Sequence, residues 1–192
     1  MPRVDPLPIG SLPDEFQGRM KQGQQEMGFR ANDVLTLARV PGLMEGLSTM
    51  TWAIYGKDGL VTNELKRLVS IITSTASGCT YCESHTIHGA AKAGIAEEKI
   101  KAIWEYETSP LFSDSERAAM RVGQGAGHAP VECTDADFDE LKKYFDDNQI
   151  CEIVGIIALF GFLNKWNATL ATDIEANPLA ALKRLWPNAS NP

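Results

Sequence analysis

Apolar residues recur at helical spacing along most of the chain, and the segments that carry them end at glycine or proline. No segment alternates convincingly between apolar and polar residues, so we expect an all-α fold, a single-domain helical bundle spanning residues 1–192. A proline-rich extended lead occupies residues 1–13. The pattern predicts helices at about 14–27, 32–39, 42–55, 62–74, 79–94, 97–106, 113–123, 134–145, 150–172 and 178–186.

Two segments of this pattern carry specific expectations. The glycine-rich stretch 123–130 is expected to be a loop that joins two helices. The longest apolar run, Ile150 to Leu163, is shorter than the roughly 20 residues of a membrane-spanning helix. We therefore predict a buried core helix there and no membrane association. Its apolar character on all sides also favours a homo-oligomer.

Composition and charge limit the classes of binding partner and indicate the cellular compartment. The chain has 192 residues, 44% of them hydrophobic, which is enough for one well-packed domain. With 25 acidic and 18 basic residues its formal charge is −7, which disfavours binding to nucleic acid or anionic membranes. The first residues lack the apolar core of a signal peptide, so a cytoplasmic protein is expected. In that compartment a close cysteine pair is usually catalytic or metal-binding.

The candidate chemistry lies in the stretch Gly78 to His88, which contains Cys79, Cys82 and His85. Two cysteines three residues apart in one helix lie about 60° apart around its axis and one turn apart along it, so a reversible disulfide is plausible. The preceding glycine and small polar residues place both cysteines in the first turn of a new helix, where unpaired N–H groups favour thiolates. With the helix at 62–74, this segment forms a helix-turn-helix carrying a CxxC motif.

Zinc binding is the alternative use of these side chains. Cys79, Cys82, His85 and His88 have the residue types of a four-ligand zinc site. On a single helix, however, the four side chains spread over about 180° and do not converge on a tetrahedral ion. We therefore expect no metal at this motif.

The segment from Glu64 to Gly94, with its C-x-Y-C-x-x-H core, resembles the alkylhydroperoxidase D and carboxymuconolactone decarboxylase superfamily, in its peroxidase-related branch. The run Ile153 to Asn167 is similar to the long C-terminal helix of that branch, so the resemblance covers about residues 44–175. It implies a helical domain that forms trimers or hexamers and reduces organic hydroperoxides without a cofactor. It also implies that Cys82 attacks the peroxide and that Cys79 resolves the sulfenic acid. A dithiol protein or small thiol would then re-reduce the disulfide.

The proton relay departs from the family pattern. The family commonly has a glutamate twelve positions before the first cysteine and a histidine four positions after the second, where this chain has Arg67 and Thr86. Thr86 occupies the helix position between the two thiols, and His85 is the remaining candidate to accept a proton from the second cysteine. Arg67 is a candidate to stabilise a thiolate, Glu64 to replace the glutamate or pair with Arg67, and Tyr81 to line a peroxide pocket.

Two other functions remain open at this point. The first is a carboxymuconolactone decarboxylase-like enzyme that binds a lactone acid, with the cysteines incidental. The second is a non-enzymatic, redox-sensing oligomeric module whose disulfide state alters its contacts with partners. The cysteine pair argues against the lactone enzyme, whereas loss of both relay residues keeps the sensor open.

Overall fold

The computed structural model describes residues 1–56 and 59–186, apart from the side chain of Arg19, and all regular structure in that range is helical. The predicted all-α fold is therefore confirmed. Short 3₁₀ turns cover Ile9–Ser11 and Ile103–Glu105. The α-helices are α1 Asp14–Met27, α2 Asn32–Leu37, α3 Leu43–Tyr55, α4 Asn63–Ala76, α5 Thr80–Lys92, α6 Glu97–Lys101, α7 Asp114–Gly127, α8 Asp135–Leu141, α9 Asp147–Leu170 and α10 Ala176–Leu185.

Helix α4 lies at the centre of the bundle, where it packs against α5, α7 and α9. Its side chains Leu68, Ile71 and Ile72 are fully buried in an apolar cluster shared with α5, α6 and α10. Val69, on another face of α4, joins a second cluster shared with α3, α7, α8 and α9. Because α4 is buried on several faces, it holds the start of α5, and with it the cysteine pair, in a fixed position.

Side-chain caps mark the starts of α4, α7, α8 and α9. The side chains of Thr62, Ser113, Thr134 and Asp146 each accept a hydrogen bond from the backbone N–H three residues later. At the last three positions the side chain of the third residue also bonds the backbone of the capping residue, which completes a capping box. These contacts satisfy N–H groups that a helix leaves unpaired.

The predicted loop at 123–130 is partly wrong, because α7 continues to Gly127. The glycines face α4 at close range. A Cβ atom at Gly123 would lie 3.0 Å from Ile72 Cγ2, and one at Gly127 would lie 2.7 Å from the Thr73 carbonyl oxygen. The glycines therefore let α4 and α7 approach closely instead of ending the helix.

Helix α9 contributes one face to the core, as a core helix should, and leaves apolar side chains exposed on another face. Ile153, Ile156 and Leu159 are buried in the second cluster, whereas Val154 and Phe162 are 40% and 37% exposed. In the described part of the chain, α9 is the helix with the length and apolar composition of a membrane span. Core helices meet the same criterion, and α9 packs against α3, α4, α5 and α7.

The N-terminal segment packs beside the cysteine helix. Leu12, Met20 and Leu35 form a small apolar cluster that joins α1 and α2. The Arg3 guanidinium donates to the Thr169 carbonyl at 2.6 Å, which ties the lead to the end of α9. The chain before α3 therefore forms one side of the candidate site.

Candidate active site

The two cysteines meet at the start of α5. Gly78, with φ 68°, turns the chain after α4, and Cys79 caps α5 from outside the helix, whereas we expected it in the first turn. Its Sγ accepts the backbone N–H of Cys82 at 3.3 Å, and the two Sγ atoms lie 2.9 Å apart. Both side chains are buried. A disulfide needs about 2.05 Å, so a small approach would join them.

The two thiols differ in acidity. The hydrogen bond from Cys82 lowers the pKa of Cys79 against the opposing effect of burial, and the Cys82 backbone N–H lowers it further. Burial raises the pKa of Cys82 well above its usual value, and the neighbouring Cys79 raises it again. The pair therefore loses its first proton from Cys79 and holds the second proton on Cys82.

His85 lies one turn further along α5 and is held on both ring nitrogens. Its Nε2 is 2.8 Å from Glu175 Oε2, and its Nδ1 is 2.8 Å from the Tyr81 carbonyl oxygen. The Tyr81 ring stacks on the imidazole with centroids 4.0 Å apart. Burial opposes the charged imidazolium, but the hydrogen bond and charge of Glu175 outweigh it, so the pKa of His85 is raised.

Glu175 connects three segments that are distant in sequence. It is the residue before α10, and its Oε1 accepts the Asn32 backbone N–H at 2.6 Å and the Tyr81 hydroxyl at 3.1 Å. Burial alone would raise the pKa of Glu175, but the hydrogen bond and charge of His85 lower it. Glu175 and His85 therefore form an ion pair close to the cysteines.

Two asparagines of α9 reach the cysteine turn. Asn164 Nδ2 donates to Ser77 Oγ at 3.0 Å, just before Gly78. Asn167 Nδ2 lies 3.5 Å from Cys82 Sγ and 3.4 Å from Asp33 Oδ2. Both asparagines are buried. Asn167 thus links the Cys82 thiol to a carboxyl group of the N-terminal segment.

An apolar cavity of about 390 Å³ lies beside this cluster. Asp33 and His85 line it, so two members of the polar cluster face the space. Most of its walls come from residues before α3. The apolar side chains that line it are Phe16, Met20, Met27, Phe29, Val34 and Met44. A cavity of this size and character suits a small, largely apolar organic molecule.

Thr86 differs from its predicted surroundings. The Thr86 hydroxyl is buried and donates to the Glu83 carbonyl oxygen at 3.0 Å, so it serves its own helix. Glu83 is also buried, although glutamate is mostly a surface residue, and burial raises its pKa.

Arg67 and Glu64 lie apart from the thiols. The Arg67 guanidinium carbon is 4.9 Å from the centroid of the Tyr55 ring. Glu64 binds Lys99 at 2.7 Å and not Arg67, so the predicted partner was wrong. The spacing of Glu64 and Arg67 on one helix suggested a pair, but tertiary packing brings Lys99 of α6 to Glu64.

The two histidines of the CxxC segment are directed away from a shared ion. His85 Nε2 faces Glu175, and His88 Nε2 lies 2.9 Å from the Met27 carbonyl oxygen. Among the residues 1–56 and 59–186, no group of three or more histidine, cysteine or acidic side chains has the arrangement of a metal site.

Sequence reasoning missed Asp33, Asn167 and Glu175. They lie 49 or more positions from Cys82 along the chain and reach it only through the packing of α2, α9 and the turn before α10. Asn167 did give a signal, because Asn164 and Asn167 are polar residues three apart in an apolar helix. Asp33 and Glu175 gave none.

Comparison with known proteins identifies the relatives of this fold. The carboxymuconolactone decarboxylase family profile matches residues 41–124. The uncharacterized protein YnjA of Escherichia coli (strain K12) is 24% identical over 182 residues, which cover 95% of this chain and 96% of YnjA. A peroxidase-related protein from Ralstonia eutropha JMP134, described as an alkylhydroperoxidase AhpD core, is 27% identical with a TM-score of 0.77, covering 92% of this chain and 94% of its own.

The debrominase Bmp8 is similar over nearly the whole chain. Its crystal structure has a TM-score of 0.87 and 33% identity, covering 95% of this chain and 97% of Bmp8. A cysteine-to-alanine variant of Bmp8 was crystallised in complex with 2,3,4-tribromopyrrole. The similarities support a function of the kinds found among these relatives, either peroxidase-related or another activity of the same family. From the matched profile and the extent of these similarities, the chain belongs to the carboxymuconolactone decarboxylase family.

Proposed function

We propose that the protein is a thiol peroxidase that reduces organic hydroperoxides through Cys79 and Cys82, without a bound cofactor. The observation that carries this proposal is the 2.9 Å separation of the two Sγ atoms at a helix start beside the apolar cavity. Two thiols at that separation supply the two electrons that reduction of an O–O bond requires. The cavity has room for the organic group of the hydroperoxide.

The reaction balances in two steps. The Cys82 thiolate attacks the outer peroxide oxygen, the O–O bond breaks, and the departing alkoxide takes a proton to become an alcohol. Cys82 is now a sulfenic acid. The Cys79 thiol then attacks the Cys82 sulfur, which forms the disulfide and releases water. A dithiol protein or small thiol outside the site reduces the disulfide and takes up its oxidising equivalents.

The assignment of Cys82 as the attacking thiol rests on its position, since acidity alone favours Cys79. Asn167 links Cys82 Sγ to Asp33, which lines the cavity. Cys79 is occupied as the cap of α5. Because the two sulfurs are 2.9 Å apart, transfer of the shared proton from Cys82 to Cys79 gives the Cys82 thiolate with little movement.

The His85 imidazolium, held in place by Glu175, supplies a positive charge near the thiols. The family's relay positions, Arg67 and Thr86 in this chain, are not needed for it. The His85 charge is one of the effects that lower the pKa of Cys79. Glu175 keeps His85 protonated by raising its pKa. A thiolate shared by the cysteine pair is therefore stabilised by an imidazolium nearby.

A second candidate is reductive dehalogenation of a small halogenated aromatic compound. Two observations favour it: the 33% identity to the debrominase Bmp8 over 95% of the chain, and the apolar lining of the cavity. The same dithiol balances this reaction, because two thiols and an aryl bromide give the disulfide, the aryl hydrogen compound, bromide and a proton. Hydroperoxide and aryl bromide would then compete for the same cavity.

Thiol counting under anaerobic conditions tests both candidates. One equivalent of cumene hydroperoxide should remove two thiols from the parent and yield cumyl alcohol, with a Cys79–Cys82 disulfide found by peptide mass spectrometry. Cys151→Ser, which changes an exposed cysteine outside the site, should behave as the parent, whereas Cys82→Ser should form no such disulfide. Bromide release from 2,3,4-tribromopyrrole without hydroperoxide reduction would favour dehalogenation. If neither compound oxidises the thiols, the lactone enzyme and the redox-sensing module become the better explanations.

A further inference from the structure

Asp33 places a carboxyl group in the wall of the cavity. It lies in the first turn of α2, where its Oδ1 accepts the Val34 backbone N–H at 2.7 Å. Its Oδ2 accepts from Asn167 Nδ2 at 3.4 Å, and the same Nδ2 lies 3.5 Å from Cys82 Sγ. One amide group therefore separates the carboxyl from the Cys82 sulfur. Asp33 lines the cavity, so a molecule bound there can reach its carboxyl group.

Three other polar side chains near the cavity, those of His85, Tyr81 and Arg30, are each paired with another residue. His85 Nε2 lies 2.8 Å from Glu175 Oε2 in an ion pair, and His85 Nδ1 lies 2.8 Å from the Tyr81 carbonyl oxygen. The Tyr81 hydroxyl donates to Glu175, and Arg30 Nε donates to Gln24 Oε1 at 2.7 Å. An arginine is also far too weak an acid to give up a proton at neutral pH. Both Asp33 oxygens accept hydrogen bonds, from Val34 and Asn167, so the proton of a protonated Asp33 can be given to a bound molecule.

The surroundings shift Asp33 towards its protonated form. Burial raises the pKa of Asp33, and the negative charge of Glu175 raises it further, against the lowering effects of the His85 charge, the Val34 N–H and the Asn167 side chain. An ionised Asp33 would also raise the pKa of both thiols. A neutral Asp33 beside a cysteine thiolate is therefore the compatible pair of charge states.

We propose that Asp33 is the acid that protonates the departing oxygen when Cys82 attacks the hydroperoxide, an inference that rests on the proposed function. The O–O bond breaks, the outer oxygen joins the Cys82 sulfur, and the inner oxygen takes the Asp33 proton to leave as the alcohol. Asp33 is then a carboxylate, and it regains a proton from solvent through the cavity. Asp33 lies before the residues matched by the family profile, so this acid comes from the N-terminal segment.

The dependence on the leaving group tests this role. Alkyl hydroperoxides release an alkoxide that needs a proton, peracids release a carboxylate that does not, and iodoacetamide alkylates thiolates by releasing iodide. In Asp33→Asn, reaction with cumene hydroperoxide should slow by about 100-fold, within the range of general acid catalysis. Reaction with 3-chloroperbenzoic acid should slow by less than about 3-fold, in keeping with the smaller need for an acid. Alkylation by iodoacetamide should be unchanged, since iodide leaves without a proton and neither a protonated Asp33 nor an asparagine carries a charge.

Three controls keep the outcomes separate. Asp173→Asn changes an exposed acid on the turn after α9 and should leave all three rates unchanged. Asp33→Glu restores an acid and should recover part of the cumene hydroperoxide rate. If Asp33→Asn does not fold, Asp33→Ser replaces it in the same series. Equal losses with all three reagents, or no loss with cumene hydroperoxide, would overturn the role of Asp33. If the parent is alkylated but reduces no hydroperoxide, the proposed function itself has failed.

Discussion

Cys79 and Cys82 share a helix end but not the same surroundings. Cys79 caps α5, and its pKa is lowered by hydrogen bonds from Cys82, whereas burial raises the pKa of Cys82. Acidity favours Cys79 as the attacking atom, whereas the link through Asn167 to Asp33 in the cavity wall favours Cys82. Trapping the sulfenic acid resolves this directly.

In Cys79→Ser, we expect hydroperoxide to leave a sulfenic acid on Cys82, because the resolving thiol is gone. Dimedone labelling followed by peptide mass spectrometry should locate the label on Cys82. Cys133→Ser, which changes a half-buried cysteine outside the pair, is the matched control and should give a disulfide and no label. Label that appears on Cys79 in Cys82→Ser, and not on Cys82 in Cys79→Ser, would exchange the two roles.

The ion pair of His85 and Glu175 gives a stability that depends on pH. The raised pKa of His85 adds stability that is full below its ordinary value of 6.5 and is lost as pH rises through the folded pKa. The lowered pKa of Glu175 adds stability that is present above its ordinary value of 4.5 and is lost as pH falls through the folded pKa. The pair therefore contributes most between about pH 4.5 and 6.5.

Glu175→Gln should lower the melting temperature most in that pH window, and the difference from the parent should shrink at higher pH. The pKa of His85, followed by NMR, should fall, because the hydrogen bond and the charge of Glu175 that raise it are removed. Glu107→Gln removes a carboxylate from Arg121, which stays charged, so its effect should not shrink above neutral pH. An unchanged pKa of His85 in Glu175→Gln would contradict the ion pair.

At the scale of helices, the spacing of apolar residues and the N-terminal capping residues were sufficient to predict where most helices lie. Thr62, Ser113 and Thr134 marked helix starts because each side chain satisfies a backbone N–H within four residues of itself. The end of α7 was missed because Gly127 faces the Thr73 carbonyl of a helix about 50 residues away in sequence. Local sequence does not encode such an approach. The same reason hid Asp33 and Glu175 from the predicted site.

The two faces of α9 should respond differently to truncation. Ile156→Ala removes atoms from a fully buried side chain and should lower the free energy of unfolding by about 2–5 kcal/mol. Val154→Ala, on the exposed face of the same helix, should change it by less than about 0.5 kcal/mol in a monomer. Urea denaturation of both variants measures the contrast. Similar losses would mean that the outer face of α9 is also buried in solution.

The whole molecule exposes large apolar side chains on helices that pack together. Trp52 of α3 is 73% exposed, and Val154 and Phe162 of α9 are 40% and 37% exposed. Helices α3 and α9 pack against each other. Large apolar side chains that remain exposed on packed helices are a feature of interfaces between subunits. We therefore expect a homo-oligomer, a trimer or hexamer if it follows the family.

Phe162→Asp should reduce the mass measured by light scattering at micromolar protein concentration, because a charge would be buried at the interface. Val131→Asp changes an exposed apolar residue on the loop before α8 and should leave the mass unchanged. Circular dichroism should show that both variants keep their helices. A monomeric parent would show that the exposed apolar side chains of α3 and α9 do not form an interface between subunits.

Because the Cys79 sulfur caps α5, the stability of the first turn of α5 depends on whether the cysteine pair is reduced or oxidised. In the dithiol state this sulfur accepts the Cys82 N–H, whereas a sulfur engaged in a disulfide is a much weaker acceptor. Oxidation therefore weakens a cap, and an oxygen cap, which is a stronger acceptor than sulfur, contributes about 1 kcal/mol. Since about 1.4 kcal/mol corresponds to 30 mV, the couple becomes more oxidising by at most about 20 mV. Faster exchange of the Cys82 amide hydrogen after oxidation would reveal this coupling. A substrate that oxidises the cysteine pair would then also destabilise the first turn of α5.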